Sequence, residues 1–315
     1  MASSNNTNNH YALRIVVLTF NRAASLLRLL NSINEAVYYS DAIKLEVWID
    51  RSEDGLVDNL TTKTAQEFVF IYGVYDVIVR QQHAGIYGQW LTSWKPIKNM
   101  SEIAVILEDD LTVSPYFYKY LKAVHRKYDN IPEVNGYALQ GYSIKHHITD
   151  NTVLDGPAGS LVYLYPVLGT WGFSPVTNNW IEFLKWFYSL RGRTNIQPYV
   201  PGNIASNWYI FFQRQRKADS MWEMWHIYYA WLNKEFTLYS NFPGRAGLSN
   251  SWREAGLHYT SNEGPSNKLL TEWKAEYDNL PERPYHVDIA GKLLMNSTNE
   301  SIKRQLWKNK RIPSV

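Results

Sequence analysis

The chain has 315 residues and no cysteine, which excludes a disulfide framework, a thiolate zinc site and a cysteine nucleophile. No uninterrupted apolar run approaches the roughly 18 to 20 residues that a membrane span requires. Charge of one sign is also scarce. The 32 basic and 29 acidic residues leave a formal charge of +3, too little to argue for a nucleic-acid partner or an anionic membrane surface. Two phosphate-binding signatures are missing, GxxxxGKS/T and a GxGxxG after the first strand, so P-loop and dinucleotide readings lose support. The opening MASSNNTNNH has neither a basic nor an apolar region of the kind a signal peptide carries, and residues 1–12 read as a disordered leader.

What is present is an apolar chain rich in rings: 45% of residues are hydrophobic, with 13 Trp and 23 Tyr. That suffices for a large core, and the rings can serve either packing or the stacking of sugars and bases. Residues 14–20 (RIVVLTF) form an apolar, β-branched run suited to a strand buried on both faces. Leu26, Leu27, Leu29, Leu30 and Ile33 then make a helical apolar face. Strands are expected again at 44–50, 76–80 and 103–107, separated by helical patterns. This alternation predicts an α/β fold with a mostly parallel sheet and helices on both faces, whose ligands gather at the carboxyl ends of the strands. Those ends carry Asn21-Arg22, Asp50 and Glu108-Asp109-Asp110. Beyond residue 130 strands are expected at 136–142 and 160–165, and helices at 179–190 and 220–232.

The trio Glu108-Asp109-Asp110 follows a buried strand directly. Three such carboxylates repel one another unless a cation or hydrogen-bond donors compensate. Hard oxygen ligands suit Mg²⁺ or Mn²⁺, and such an ion can hold a diphosphate. A solvated acidic turn is the alternative.

The segment LEDDLTVSPYFYKYL resembles the DxD region of GT-A glycosyltransferases, above all the N-acetylglucosaminyltransferase I and protein O-mannose N-acetylglucosaminyltransferase family. Three further segments match in the same order. Pro166-Val167-Leu168-Gly169-Thr170-Trp171 resembles the loop beside the donor sugar, with Leu168 on the sugar-packing position. Trp222-Glu223-Met224-Trp225 is similar to a Trp-Asp-x-Trp whose Asp is the general base. Residues 244–250, with Leu248 and Ser249, resemble the loop that closes over the nucleotide diphosphate. The resemblance spans about residues 13–260.

It implies a GT-A domain over 13–262, with a nucleotide-binding half (13–130) and an acceptor and catalytic half (131–262), followed by a C-terminal extension (263–315). It implies that Asp110 holds Mn²⁺ or Mg²⁺ while Glu108 and Asp109 lie against the donor sugar and ribose. Arg22 and Tyr87 would contact the nucleotide, with Tyr87 standing where the family has His and Trp90 falling on a family Trp. Asp50 would recognise the base or, equally well by its position, cap a helix. Glu223 would be the general base of an inverting transfer, taking the proton of the acceptor hydroxyl; the alternative is a helix-starting acid beside buried Trp222 and Trp225. His258 is a further metal-ligand candidate, with a structural histidine as the other reading.

The expected activity is metal-dependent, inverting transfer of a sugar, GlcNAc from UDP-GlcNAc first, to a hydroxyl of a glycan or glycoprotein acceptor, with no nucleic-acid partner. Alternatives are another donor (UDP-Gal, UDP-Xyl or GDP-Man), a retaining mechanism, or a silent carbohydrate-binding protein on the same scaffold. The lack of cysteine and of a visible signal points to the cytoplasm rather than to a Golgi-lumenal domain separated from its anchor.

Overall fold

The run Leu-Arg-Ile-Val-Val-Leu-Thr forms strand β1 (Leu13–Thr19), which lies between two parallel neighbours inside a ten-stranded sheet. The computed structural model describes residues 11–98, 101–146, 151–190, 196–255 and 260–294. Leu13, Ile15 and Val17 face one layer of the core, and Val16 and Leu18 face the other. A strand sealed on both sides needs this continuous apolar run, because successive side chains point to opposite faces.

From β1 the chain passes through helix α1 (Ala23–Asn34), strand β2 (Ile43–Ile49), helix α2 (Asn59–Glu67) and strand β3 (Gly73–Val79), which forms one edge of the sheet. Leu26, Leu29, Leu30 and Ile33 bury one stripe of α1 against the first layer. Asp58 caps α2 by accepting a 2.7 Å hydrogen bond from Thr61 N. The third strand starts earlier than its apolar pattern suggests. A Cβ at Gly73 would lie 2.1 Å from the Ile43 carbonyl oxygen, so only glycine admits this close approach of β2.

Helix α3 (Gly85–Thr92) then leads to β4 (Ile103–Glu108), which pairs in parallel with the opposite side of β1. The order β4-β1-β2-β3 makes the gap between the carboxyl ends of β1 and β4 the point where the connections change direction, the usual ligand crevice of such sheets. After β4 come the short strand β5 (Leu111–Val113) and helix α4 (Phe117–Tyr128), whose Phe117, Leu121 and Val124 pack into the α1 layer.

The second half contains β6 (Val134–Ala138), a hairpin of β7 (Ser143–His146) and β8 (Asn151–Leu154), β9 (Val162–Tyr165), β10 (Phe173–Pro175), helices α5 (Thr177–Ser189), α6 (Ile204–Arg214) and α7 (Glu223–Asn233), β11 (Phe236–Ser240) and β12 (Ser249–Ser251). β10 is antiparallel to both β4 and β6, and β11 is parallel to β6. β12 pairs antiparallel with β5, which draws residues 249–251 beside the end of β4. The sheet continues into β13 (Tyr285–Val287) and β14 (Leu293–Leu294), while Leu270 and Tyr277 enter the core. Among the described residues no helix is long and apolar enough to cross a membrane.

Candidate active site

The crevice between β1 and β4 is lined by the acidic trio. Asp109 is 1% exposed, and its Oδ2 accepts a 2.7 Å hydrogen bond from the Thr19 hydroxyl at the end of β1. Arg22, the residue entering α1, ion-pairs with Asp109 Oδ1 and stands 3.9 Å from Asp110. Burial pushes the Asp109 carboxyl up to about 6 against the pull of Arg22. The Glu108 carboxyl is pushed up to about 8 by burial and then by the neighbouring Asp110, although its Oε1 accepts a 2.9 Å bond from the Trp90 indole. Asp110 is raised too, by burial and by Glu254, with Arg22 and Arg28 opposing.

Glu254 and Arg28 are residues that sequence reasoning missed. Arg28 Nη2 donates to Glu254 Oε1 at 2.6 Å, Ser25 bonds the other carboxylate oxygen, and the Arg28 guanidinium lies 4.5 Å from the Trp252 ring centroid. Trp252 N in turn donates to the Asp110 carbonyl at 2.9 Å. Nothing local in the sequence announces this contact, because Ser25 and Glu254 are 229 residues apart.

The cluster therefore holds four carboxylates (Glu108, Asp109, Asp110, Glu254) against two guanidiniums (Arg22, Arg28). Fully ionised, it carries two uncompensated negative charges, and that repulsion adds to the burial that chiefly raises the trio. A divalent cation fits this electrostatic deficit. Among the described residues no group of three or more His, Asp or Glu side chains could hold an ion by itself. The Asp110 side chain, 16% exposed, could be one ligand, with donor phosphates and water completing the shell, which is the common pattern for Mg²⁺. His258 lies outside the described residues.

A second group is tied to the trio by one aromatic pair. Trp90, on α3, donates to Glu108 and stacks on Trp222, with centroids 4.4 Å apart and planes at 23°. Trp222 immediately precedes α7, whose first residue is Glu223. Glu223 is half-buried, and burial raises its carboxyl to about 7. The Tyr87 hydroxyl, on α3, donates to the Met221 carbonyl at 3.1 Å and is close enough to Glu223 for that carboxylate to hold its phenol above the ordinary range, after burial.

The other expected site residues have different surroundings. Asp50 accepts 2.8 Å bonds from Ala84 N and Gly85 N with its two carboxylate oxygens, so the hydrogen bonds give it the capping role at the start of α3. Leu168, Trp222, Leu248 and Ser249 are all 6% exposed or less. Asp109, at 1%, is enclosed in the same way, so none of these five side chains presents an open surface here. Of residues 244–250, expected to close over the diphosphate, 247–250 are buried in the body here, whereas Gly244 and Arg245 are exposed. Gly247 N donates to Lys268 O and Leu270 N to Gly247 O, both at 2.8 Å, and a Cβ on Gly141 would lie 2.2 Å from the Arg245 carbonyl oxygen.

No protein-family model matches the chain, and no curated protein sequence does. Partial likenesses exist among solved structures. S. aureus TarS 1–349 is similar at 12% identity and a TM-score of 0.43, over 74% of this chain and 61% of that one. Its complex with UDP-GlcNAc gives 11% identity and a TM-score of 0.42, over 72% and 56%. The mannosyltransferase PcManGT from Pyrobaculum calidifontis, in complex with GDP-Man and Mn²⁺, gives 19% identity and a TM-score of 0.30, over 42% and 36%. The chain thus spans less than two thirds of the TarS fragment it matches.

Proposed function

We propose that this chain is a nucleotide-sugar-dependent glycosyltransferase that moves a sugar, GlcNAc from UDP-GlcNAc first among donors, to a hydroxyl of a glycan, with inversion and with help from a divalent metal. The observation that carries the proposal is the under-neutralised acidic cluster at the β1–β4 crevice, joined through Trp90 and Trp222 to a second carboxylate, Glu223, which burial raises to about 7. Sugar transfer needs these two kinds of site side by side.

Glu223, as carboxylate, takes the acceptor hydroxyl proton while the acceptor oxygen bonds to the anomeric carbon. The anomeric carbon–phosphate oxygen bond breaks on the opposite face, and the nucleoside diphosphate leaves with the electron pair. Arg22, anchored by Asp109, would offer its guanidinium to the charge developing on that leaving group. A metal ion bound at Asp110 would offset the charge developing on the diphosphate.

The test is a thermal-shift panel of UDP, UDP-GlcNAc, UDP-Gal, UDP-Xyl and GDP-Man with and without Mn²⁺, since a ligand of the native state raises its melting temperature by mass action. At least one nucleotide should stabilise the protein in Mn²⁺, and Asp110→Ala should erase the metal-dependent part. Equal stabilisation with and without metal would remove the metal role, and no response to any nucleotide would remove the transferase reading.

A further inference from the structure

Helices α5 and α7 carry a partly exposed band of rings that the transfer chemistry does not use. Trp225, Tyr228 and Trp231 recur at three-residue steps on α7, and Trp186 and Phe187 face them from α5. The rings form an unbroken series. Phe187 lies 5.7 Å from Trp225, Trp186 lies 6.3 Å from Trp225 and 6.1 Å from Tyr228, and Tyr228 stacks on Trp231 at 6.0 Å and 20°. The inner end of the series reaches the crevice, because the Tyr87 ring lies 6.3 Å from Phe187 and Trp225 follows Glu223 by two residues on α7. The outer end is Trp231 with Leu232, 46% exposed.

We infer that this band is the acceptor's binding track, and that the acceptor is a neutral oligosaccharide several residues long whose terminal hydroxyl reaches Glu223. The inference rests on the glycosyltransferase reading. The chemistry of the band selects the ligand. Flat rings with polar edges match the apolar C–H face and hydroxyl rim of a pyranose. From Met224 to Asn233 the only ionisable group besides tyrosine is His226, which is buried, and on α5 Glu182 and Lys185 pair with each other at 2.8 Å. Single-stranded nucleic acid would also stack on rings but requires cations along its phosphates, and within the described residues of α5 and α7 the only cation is Lys185, which is paired with Glu182. An anionic membrane surface would require the same cations.

The test measures tryptophan fluorescence on the whole chain against neutral tetrasaccharides (β-1,4-linked glucose, β-1,4-linked GlcNAc and α-1,2-linked mannose) and the corresponding monosaccharides. At least one tetrasaccharide should bind ten-fold or more tightly than its monosaccharide. Trp231→Ala should abolish most of that gain, and Trp231→Phe, which keeps a ring, should restore it. Both variants should retain Mn²⁺-dependent nucleotide binding, with Trp231→Ala at a lower melting temperature because its ring packs on the core and Trp231→Phe nearer the wild type. No tetrasaccharide preference, or a preference untouched by Trp231→Ala, would overturn the inference while leaving the donor site standing. Tetrasaccharide binding without any nucleotide binding would support the track and sink the transferase reading. Sedimentation with phosphatidylcholine vesicles that depends on Trp231, without saccharide binding, would assign the band to lipid instead and overturn the inference.

Discussion

Glu223 and Glu108 show how position divides labour between identical carboxyl groups. Glu108 lies deepest in like charge and is held up to about 8, while Glu223, raised to about 7 chiefly by burial, faces no adjoining acid in its own segment. With its carboxyl near 7, about half of Glu223 is ionised at neutral pH, enough for the proposed base. Replacing it by Gln keeps the shape and removes the proton acceptor. Glu223→Gln should leave Mn²⁺-dependent donor binding within about two-fold and lower transfer by roughly 10²- to 10⁴-fold. The measurement is calorimetry paired with a transfer assay. Turnover within a few-fold of wild type would show that another group takes the proton. In the wild type the transfer rate should climb as pH rises through about 7, the value that burial gives this group.

Among the elements, α6 depends on its start. Asn203 Oδ1 accepts a 2.9 Å bond from Ala205 N, and the same side chain donates to the Pro166 carbonyl at 3.1 Å, tying the helix to the loop that carries Leu168. Asn203→Ala should cost ~1 kcal/mol through the lost cap, visible as a lowered melting temperature and as faster hydrogen exchange across residues 204–208. An unchanged melting temperature would mean that the loop, not the cap, holds this end. This helix was also the least legible in the sequence. Its buried positions include Ala205 and Ser206, whereas Phe211 is 55% exposed, so the apolar pattern points away from the face that packs. Strands β1, β2 and β4 and helices α1, α5 and α7 were readable because long apolar runs and i, i+3, i+4 spacing coincide with what is buried, whereas the edge strand β3 has no buried residue and showed only its apolar end. Strands such as β10, β12 and β13 are three residues long and have no period to read. The same limit applies to the site. Arg22 and the trio lie next to strong strands and could be found, whereas Glu254 and the amide partners of Asp50 are brought in by contacts 229 and about 34 residues apart.

For the whole molecule, the raised carboxyls make stability depend on pH with a definite sign. Glu108, Glu223 and Glu235 reach about 8, 7 and 7 in the folded state, whereas an unfolded chain ionises them near 4.3. The native state then keeps protons that the unfolded state gives up, so this contribution to stability is complete in acid and falls as pH rises through the folded values. Buried His226, lowered to about 3, works in the opposite direction but only below its ordinary value of about 6.5. The carboxyls therefore stand alone above that point. The melting temperature in chelator should drop between about pH 6.5 and 8.5, and Mn²⁺ should recover part of the loss at the higher pH by supplying the missing positive charge. A flat or rising profile in chelator would show that the cluster is neutralised some other way. Trp90 and Trp222 allow the same state to be watched optically. One indole belongs to α3 beside the trio and the other opens the helix that bears Glu223, so the two transition dipoles couple across the two halves of the crevice. The exciton signal of that pair in circular dichroism is an internal gauge of how those halves sit, readable without any added label.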